Sequence, residues 1–171
     1  MERMITMAHG AGGAAARELV EEIFRPAFFP DAPLNDSAVA AGGSTLALTT
    51  DSFVVAPRFF PGGDIGRLAV CGTVNDLAVS GAVPRYLTCG MILEAGFSVD
   101  ELKSIVRSMR ATADEAGVSI VTGDTKVVEH GRGDGLYVNT AGVGVFAGPP
   151  LAQLPQPGDT IIASAPLARH G

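Results

Sequence analysis

The hydrophobic positions of the chain fall into two periods. Val99, Leu102, Ile105, Val106, Met109 and Ala113 recur at three- and four-residue spacing, which predicts an amphipathic helix. Ser98 and Glu101 stand at its start as a capping box, the hydroxyl taking the N3 amide, and Gly117 ends it. A second helix is predicted from Asp64, its N-cap, to about Ser80, with Gly81 as the stop. Ile65, Leu68, Ala69, Val74, Leu77 and Ala78 make that helix broadly apolar, so it is expected to be well buried. A third is predicted from Ala14 to Phe24, after which Pro26, Pro30 and Pro33 mark a loop.

The rest reads as strands and turns. Ser37 to Ala41 and Ser44 to Val55, joined by Gly42-Gly43, predict a hairpin. Pro57 to Gly63 reads as an irregular loop exposing Phe59 and Phe60. Pro84 to Leu93, Val118 to Val128 and Leu136 to Phe146 read as strands, the second interrupted at Gly123-Asp124. Gly131 to Gly135 is a loop, Pro149 to Pro157 a linker, and Thr160 to Ser164 begins a further strand. The order β-β-α-β-α-β-β predicts an α+β fold, with helices on one face of a mixed sheet. One domain is expected over 1–157, and 158–171 reads as the start of a second, cut off at Gly171.

Composition narrows the function classes. A formal net charge of -6 argues against a nucleic-acid binder, whose footprint is a basic patch. Hydrophobic residues at 47% supply a core and argue against disorder. No apolar run approaches the roughly 18–20 residues that span a bilayer, and Met1 to Ile5 hold no signal-peptide core. Cys71 and Cys89 make neither a disulfide scaffold nor a metal knuckle, so a reducing, cytoplasmic setting is expected.

Four aspartates occupy unfavourable places. Asp36 precedes the first strand segment, and Asp51 follows Thr49-Thr50 inside an apolar stretch. Asp76 follows Asn75 in the apolar helix, and Asp124 interrupts a strand in Gly123-Asp124-Thr125-Lys126. Aspartate is disfavoured in helix interiors and strands, and a buried carboxylate costs several kcal/mol unless paired or bound to a cation. Carboxylates gathered together repel, and Mg²⁺ would relieve that. For Asp36 alone, a turn or cap is an equal reading. Lys126 reads equally as a phosphate counter-charge or as a solvated strand-end lysine. His9-Gly10-Ala11-Gly12-Gly13 offers successive N–H groups to an anion, or is a mobile tail. There is no Walker A pattern and no G-x-G-x-x-G after a strand. His9, His130 and His170 have no metal-ligand spacing.

The run Pro61 to Ala82, with Gly72-Thr73-Val74-Asn75-Asp76-Leu77-Ala78 at its centre, resembles the HypE family of hydrogenase maturation factors. So do Ala8 to Gly13, Thr50-Asp51-Ser52-Phe53, Pro84-Arg85-Tyr86-Leu87 and Val121 to Val128, in order along nearly the whole chain. The wider superfamily holds aminoimidazole ribonucleotide (AIR) synthetase (PurM), selenophosphate synthetase and thiamine-phosphate kinase. The resemblance implies a PurM-like, ATP-binding N-terminal domain that pairs with a twin, closing an eight-stranded barrel across a homodimer. ATP and Mg²⁺ would lie beside that interface. It implies Asp36, Asp51, Asp76 and Asp124 at the metal, with Gly10, Gly12, Gly13, Asn75, Thr125 and Lys126 around the ATP phosphates.

Members of the family use ATP to dehydrate a carboxamide on their own C-terminal cysteine to a thiocyanate, supplying cyanide for the iron of nickel-iron hydrogenase. The resemblance implies a carbamoyl dehydratase, a lyase, with the carbamoyltransferase HypF and the HypC–HypD iron carrier as partners. The C-terminal cysteine is not in this sequence, which implies that this chain alone is inactive. Arg169 stands before His170-Gly171 where an acidic residue is expected. Two other readings stay open: a dimerisation and scaffold module without catalysis, and a kinase of the thiamine-phosphate type.

Overall fold

The computed structural model describes residues 3–9, 13–28, 30, 46–148 and 156–163. Among these, four strands form one mixed sheet: β1 (Leu46–Phe53), β4 (Val83–Glu94), β5 (Ser119–Val128) and β6 (Leu136–Val145). They lie in the order β1-β6-β4-β5. β6 is antiparallel to both neighbours, and β5 is parallel to β4. A parallel pair needs a crossover, and helix α4 (Val99–Ala116) supplies it. The helices α1 (Gly13–Leu19), α2 (Arg25–Phe28) and α3 (Ile65–Val79) complete the α+β layer. Of the expected hairpin, β1 is the second strand, and the first strand and turn, 37–43, lie outside the described residues.

Strand alternation assigns the two sheet faces. Leu87, Cys89, Met91 and Leu93 of β4 point to the same side as Leu136, Val138 and Thr140 of β6, and all are buried. They meet α3 and α4 in one core. Among the described residues, the other face carries no helix. Its residues Leu48, Ile92 and Tyr137 are exposed, Leu48 by 74%.

The two long helices dock by opposite means. Helix α4 buries Val99, Leu102, Ile105, Val106 and Met109, and its exposed side is charged. Ser98 accepts the Glu101 N–H and Gly117 takes φ +68, as the sequence predicts. Helix α3 is capped by Asp64, which accepts the Arg67 N–H at 2.9 Å. It approaches its neighbours through glycines. A Cβ on Gly66 would sit 2.6 Å from the Ile105 carbonyl oxygen, and one on Gly72 2.8 Å from the Phe53 ring. On the strand side, a Cβ on Gly142 would sit 2.8 Å from Thr73. Across this seam Thr73 and Thr140 share a buried hydroxyl hydrogen bond, and Thr140 donates to the Ala69 carbonyl at 3.1 Å.

Five expectations are corrected. Helix α3 is not buried all round: Leu68, Asn75, Asp76 and Val79 are exposed. The segment from Pro57 to Gly63 is not loop throughout, because β2 (Phe59–Phe60) pairs with β3 (Gly63–Asp64). Pro26 does not end the N-terminal helix but lies inside α2. It has no N–H for the Glu22 carbonyl, and the turn before it, Val20–Phe24, is π, with the Arg25 N–H reaching the Val20 carbonyl. Gly123-Asp124 does not interrupt β5: both residues pair with β4. Finally, 160–163 form no strand, and Ile161 and Ile162 there are exposed.

Candidate nucleotide site

The expected site residues that the structure describes fall at two edges of the sheet. The first group lies where β1 meets α3. Asp51 and Thr49 face the helix, because they alternate with the outward Thr50 and Ser52. The Thr49 hydroxyl donates to Asp76 Oδ2 at 3.0 Å, which ties the middle of β1 to the C-terminal half of α3. Asp51 Oδ2 lies 3.5 Å from where a Gly72 Cβ would sit, one helical turn before Asp76. Asp51 Oδ1 accepts the Ser52 N–H at 2.9 Å. Asn75 stands beside Asp76 and is also exposed. Glycine at 72 therefore has a local reason: it leaves room beside the Asp51 carboxylate.

Asn139 completes this edge and was not singled out in the sequence. It sits on β6 on the helix-free face, opposite Ser52. Its amide donates to the Asp51 carbonyl at 3.0 Å and the Ser52 hydroxyl at 2.9 Å, with a longer contact of 3.3 Å to the Thr50 hydroxyl. It fixes the backbone that aims Asp51. The available signal was Asn139-Thr140 breaking an otherwise apolar strand.

The second group lies on β5 at the opposite edge. Asp124 and Lys126 are exposed on the helix-free face, and Thr125 turns toward the helices. The turn Met7–His9, which leads into the glycine segment, packs against β5. Gly13 takes φ +72 at the start of α1. Gly10, Gly12 and Asp36 lie outside the described residues.

Register relates the two groups. Asp51 pairs with Thr140, Thr140 with Cys89, and Cys89 with Gly123. Asp51 and the Gly123-Asp124 step thus stand at one level on opposite edges, three inter-strand spacings or roughly 14 Å apart. Among the described residues, no three His, Cys, Asp or Glu side chains of one chain gather around a cation position. Asp51 and Asp76 lie along the same β1–α3 seam, and each offers the hard oxygen ligands that Mg²⁺ takes. Lys126 is the cation nearest in sequence to Asp124.

The two thiols differ in burial. Cys89 is buried among apolar side chains, and burial pushes its thiol up to about 12. Cys71 is half-buried on α3. Among the described residues, no helix is long and apolar enough to cross a membrane.

Residues 34–146 match the family model "AIR synthase related protein, N-terminal domain". The carbamoyl dehydratase HypE of Escherichia coli is 48% identical over 177 residues, covering 98% of this chain and 53% of that protein. The HypE of Rhodobacter capsulatus is 50% identical over 179 residues, covering 99% and 52%. The chain thus spans about half the length of these curated relatives. Among solved structures, HypE in complex with ATP matches with a TM-score of 0.79 at 50% identity, covering 82% of this chain and 43% of that one. A HypE–HypF complex matches with a TM-score of 0.61 at 51% identity, covering 77% and 43%. Thiamine monophosphate kinase from Aquifex aeolicus, at 18% identity, shares the fold. The chain therefore belongs to the AIR synthase related family and carries its N-terminal domain, in the form that the hydrogenase maturation protein HypE displays.

Proposed function

We propose that this chain is the ATP-binding half of a hydrogenase-maturation dehydratase. The observation that carries the reading is the joint placement of Asp51 and Asp76 on one seam, held by Thr49 and Asn139. Near-half identity to proteins named carbamoyl dehydratase, and likeness to a HypE solved with ATP, support it. Asp51 and Asp76, with Asp36 and Asp124, hold Mg²⁺ in this reading. Asn75, Thr125, Lys126 and the Gly10, Gly12 and Gly13 backbone surround the phosphates. Bound Mg²⁺ offsets phosphate charge.

Because one chain leaves the two groups at opposite edges, the reading includes a homodimer. A second copy laid on the helix-free face would cover Leu48, Ile92 and Tyr137, closing an eight-stranded barrel and bringing a new edge beside each group. The reaction follows from the chemistry of amides. Transfer of the γ-phosphoryl group to the oxygen of an S-carboxamide turns that oxygen into a good leaving group. Loss of phosphate and two protons leaves a thiocyanate, with ADP and phosphate as the other products. The carboxamide is carried in this reading by a C-terminal cysteine outside the present sequence, loaded by HypF, and the cyanide passes to a HypC–HypD carrier. Cys89, with a thiol pushed up to about 12, does not replace that acceptor. In this reading the present residues supply the nucleotide binding. Residues from 158 onward are assigned to a second domain.

The test is isothermal calorimetry with ATP in the presence and absence of Mg²⁺. Saturable Mg²⁺-dependent binding is expected. No binding in either condition would leave the scaffold reading in its place.

A further inference from the structure

The helix-free face is capped at one end by the connection between β5 and β6. Gly133 lies over it: a Cβ there would sit 3.4 Å from Val128, 3.5 Å from Tyr137 and 3.8 Å from the Cβ of Glu94. Glu94, the last residue of β4, points into this cap. Its carboxylate accepts the Gly131 N–H through Oε1 and the Gly135 N–H through Oε2, the latter at 3.0 Å. Its own N–H donates to the Gly135 carbonyl at 2.8 Å. The side chain is only 13% exposed although it carries a charge. Gly131 at φ +79 and Gly135 at φ +83 allow the loop to turn both amides inward.

A second set of contacts fixes the same loop from below. Arg58 pairs with Glu101 at 2.6 Å, lies 5.0 Å from the Phe97 ring centre and reaches the Asp134 carbonyl at 3.4 Å. The charged and titratable groups facing Glu94 are limited. His130 Nδ1 is 3.3 Å from its carboxylate, Lys126 and Tyr137 stand one row away on the sheet, and Glu129, Arg132 and Asp134 lie in the loop.

We propose that Glu94 is a positioning residue: it seats the 131–135 loop and thereby fixes both strands that carry the nucleotide site. β5, which enters the loop, bears Asp124, Thr125 and Lys126. β6, which leaves it, bears Asn139, the amide that holds the Asp51 backbone. This rests on the reading under Proposed function. Nothing in the sequence pattern marks Glu94, since a strand-end glutamate reads as solvated.

Glu94→Ala and Glu94→Gln, each in the chain as it stands, test it. Amide exchange at Gly131 and Gly135 is followed by NMR, and Mg²⁺-ATP affinity by calorimetry across the acid range. In Glu94→Ala, exchange at both amides rises about tenfold or more, because a charge-assisted acceptor is lost. Mg²⁺-ATP affinity falls about fivefold or more, the size of a modest coupling between sites. Glu94→Gln keeps one acceptor oxygen, so it falls between parent and Glu94→Ala. It lacks the loss of protection at these two amides that the parent shows as pH falls, once intrinsic exchange is divided out. Unchanged exchange in both variants overturns the seat. Faster exchange with parental nucleotide affinity overturns the positioning role. A parent that binds no Mg²⁺-ATP sinks the functional reading and the positioning role with it, while the exchange data still decide whether the carboxylate holds the loop.

Discussion

Helices α3 and α4 lie on the same face of one sheet, yet they are held by opposite devices. Helix α4 fills space: Leu102, Ile105 and Met109 are each fully buried. Helix α3 removes it, meeting α4 at Gly66 and β1 at Gly72. The first device gives stability and tolerates small adjustments of position. The second fixes distance most strictly at Gly66, where the neighbour is the Ile105 carbonyl and backbone cannot retreat from a new Cβ; at Gly72 the neighbour is the Phe53 ring. The helix that carries Asn75 and Asp76 is the one whose distance is fixed. The contrast divides the molecule into a part that holds the fold and a part that sets a geometry, and substitutions of opposite kind expose it.

The largest expected effect is on α4. Leu102→Ala removes a fully buried side chain and leaves a cavity, so unfolding free energy falls by about 2–5 kcal/mol in urea titration. The matching change on α3 is Leu77→Ala, equally buried, and it is expected to cost less because its cavity adjoins the glycine seam, while Leu68→Ala at a site 38% exposed costs least. Equal losses at Leu102 and Leu77 would break the division.

The reverse substitution comes next. Gly66→Ala improves helix propensity by about 1 kcal/mol, but its Cβ meets the Ile105 carbonyl oxygen at 2.6 Å. A net loss of about 1–3 kcal/mol is expected from overpacking. Gly72→Ala presses on the Phe53 ring and on Asp51, so it weakens Mg²⁺-ATP binding more than it lowers the melting temperature. A parental nucleotide affinity in Gly72→Ala would show that this seam sets no distance that matters.

The two helices were also unequally legible. The period, cap and C-terminal glycine of α4 all agree in the sequence, and the structure reproduces them at Ser98 and Gly117. The ends of α3 were legible too, at Asp64 and Gly81. Its burial was not, because an apolar composition does not say which side meets a partner. Glycine misled the reading most. Gly123 reads as a break in β5, yet a Cβ there would collide with the Cys89 carbonyl oxygen. It is the residue that lets β5 pair closely, as strand glycines at close backbone approaches do. The Phe59–Asp64 hairpin was hidden for a similar reason, since Pro61-Gly62-Gly63 reads only as part of an irregular loop. The acidic positions were legible as chemistry. Their division between two edges was not, because sheet order is a long-range property that local pattern does not encode.

Acid sensitivity separates the loop latch from the helices. The N–H groups of Gly131 and then Gly135 hold the Glu94 carboxyl below its ordinary range, with His130 adding to them against burial. Its folded value is lowered, so its contribution to stability is complete above the ordinary glutamate range of about 4.3. That contribution is lost as pH falls through the lowered value. Glu115, lowered by its pairing with Arg67, behaves alike but is exposed and screened. Acid unfolding of Glu94→Gln should therefore begin from lower stability at neutral pH and fall less steeply than the parent. Glu115→Gln should track the parent closely. A steeper limb in Glu94→Gln would contradict the latch.

Asp51→Asn and Asp124→Asn test the site with little expected change in fold. Both weaken Mg²⁺-ATP binding in the proposed function, from opposite edges of the sheet. In a single chain the two carboxylates stand roughly three strand spacings apart, so no mutual repulsion is relieved by removing either one. The apo melting temperature of each variant should thus stay near the parent's. In the proposed homodimer the two edges are brought beside those of a second copy. A rise in melting temperature that appears only at concentrations where light scattering reports a dimer would place like charges together across the interface. A rise at all concentrations in Asp124→Asn would mean that carboxylates crowd there within one chain, against the register that separates that position from Asp51, whereas in Asp51→Asn it would report Asp76 on the same seam. Parental binding in both variants would remove them from the site.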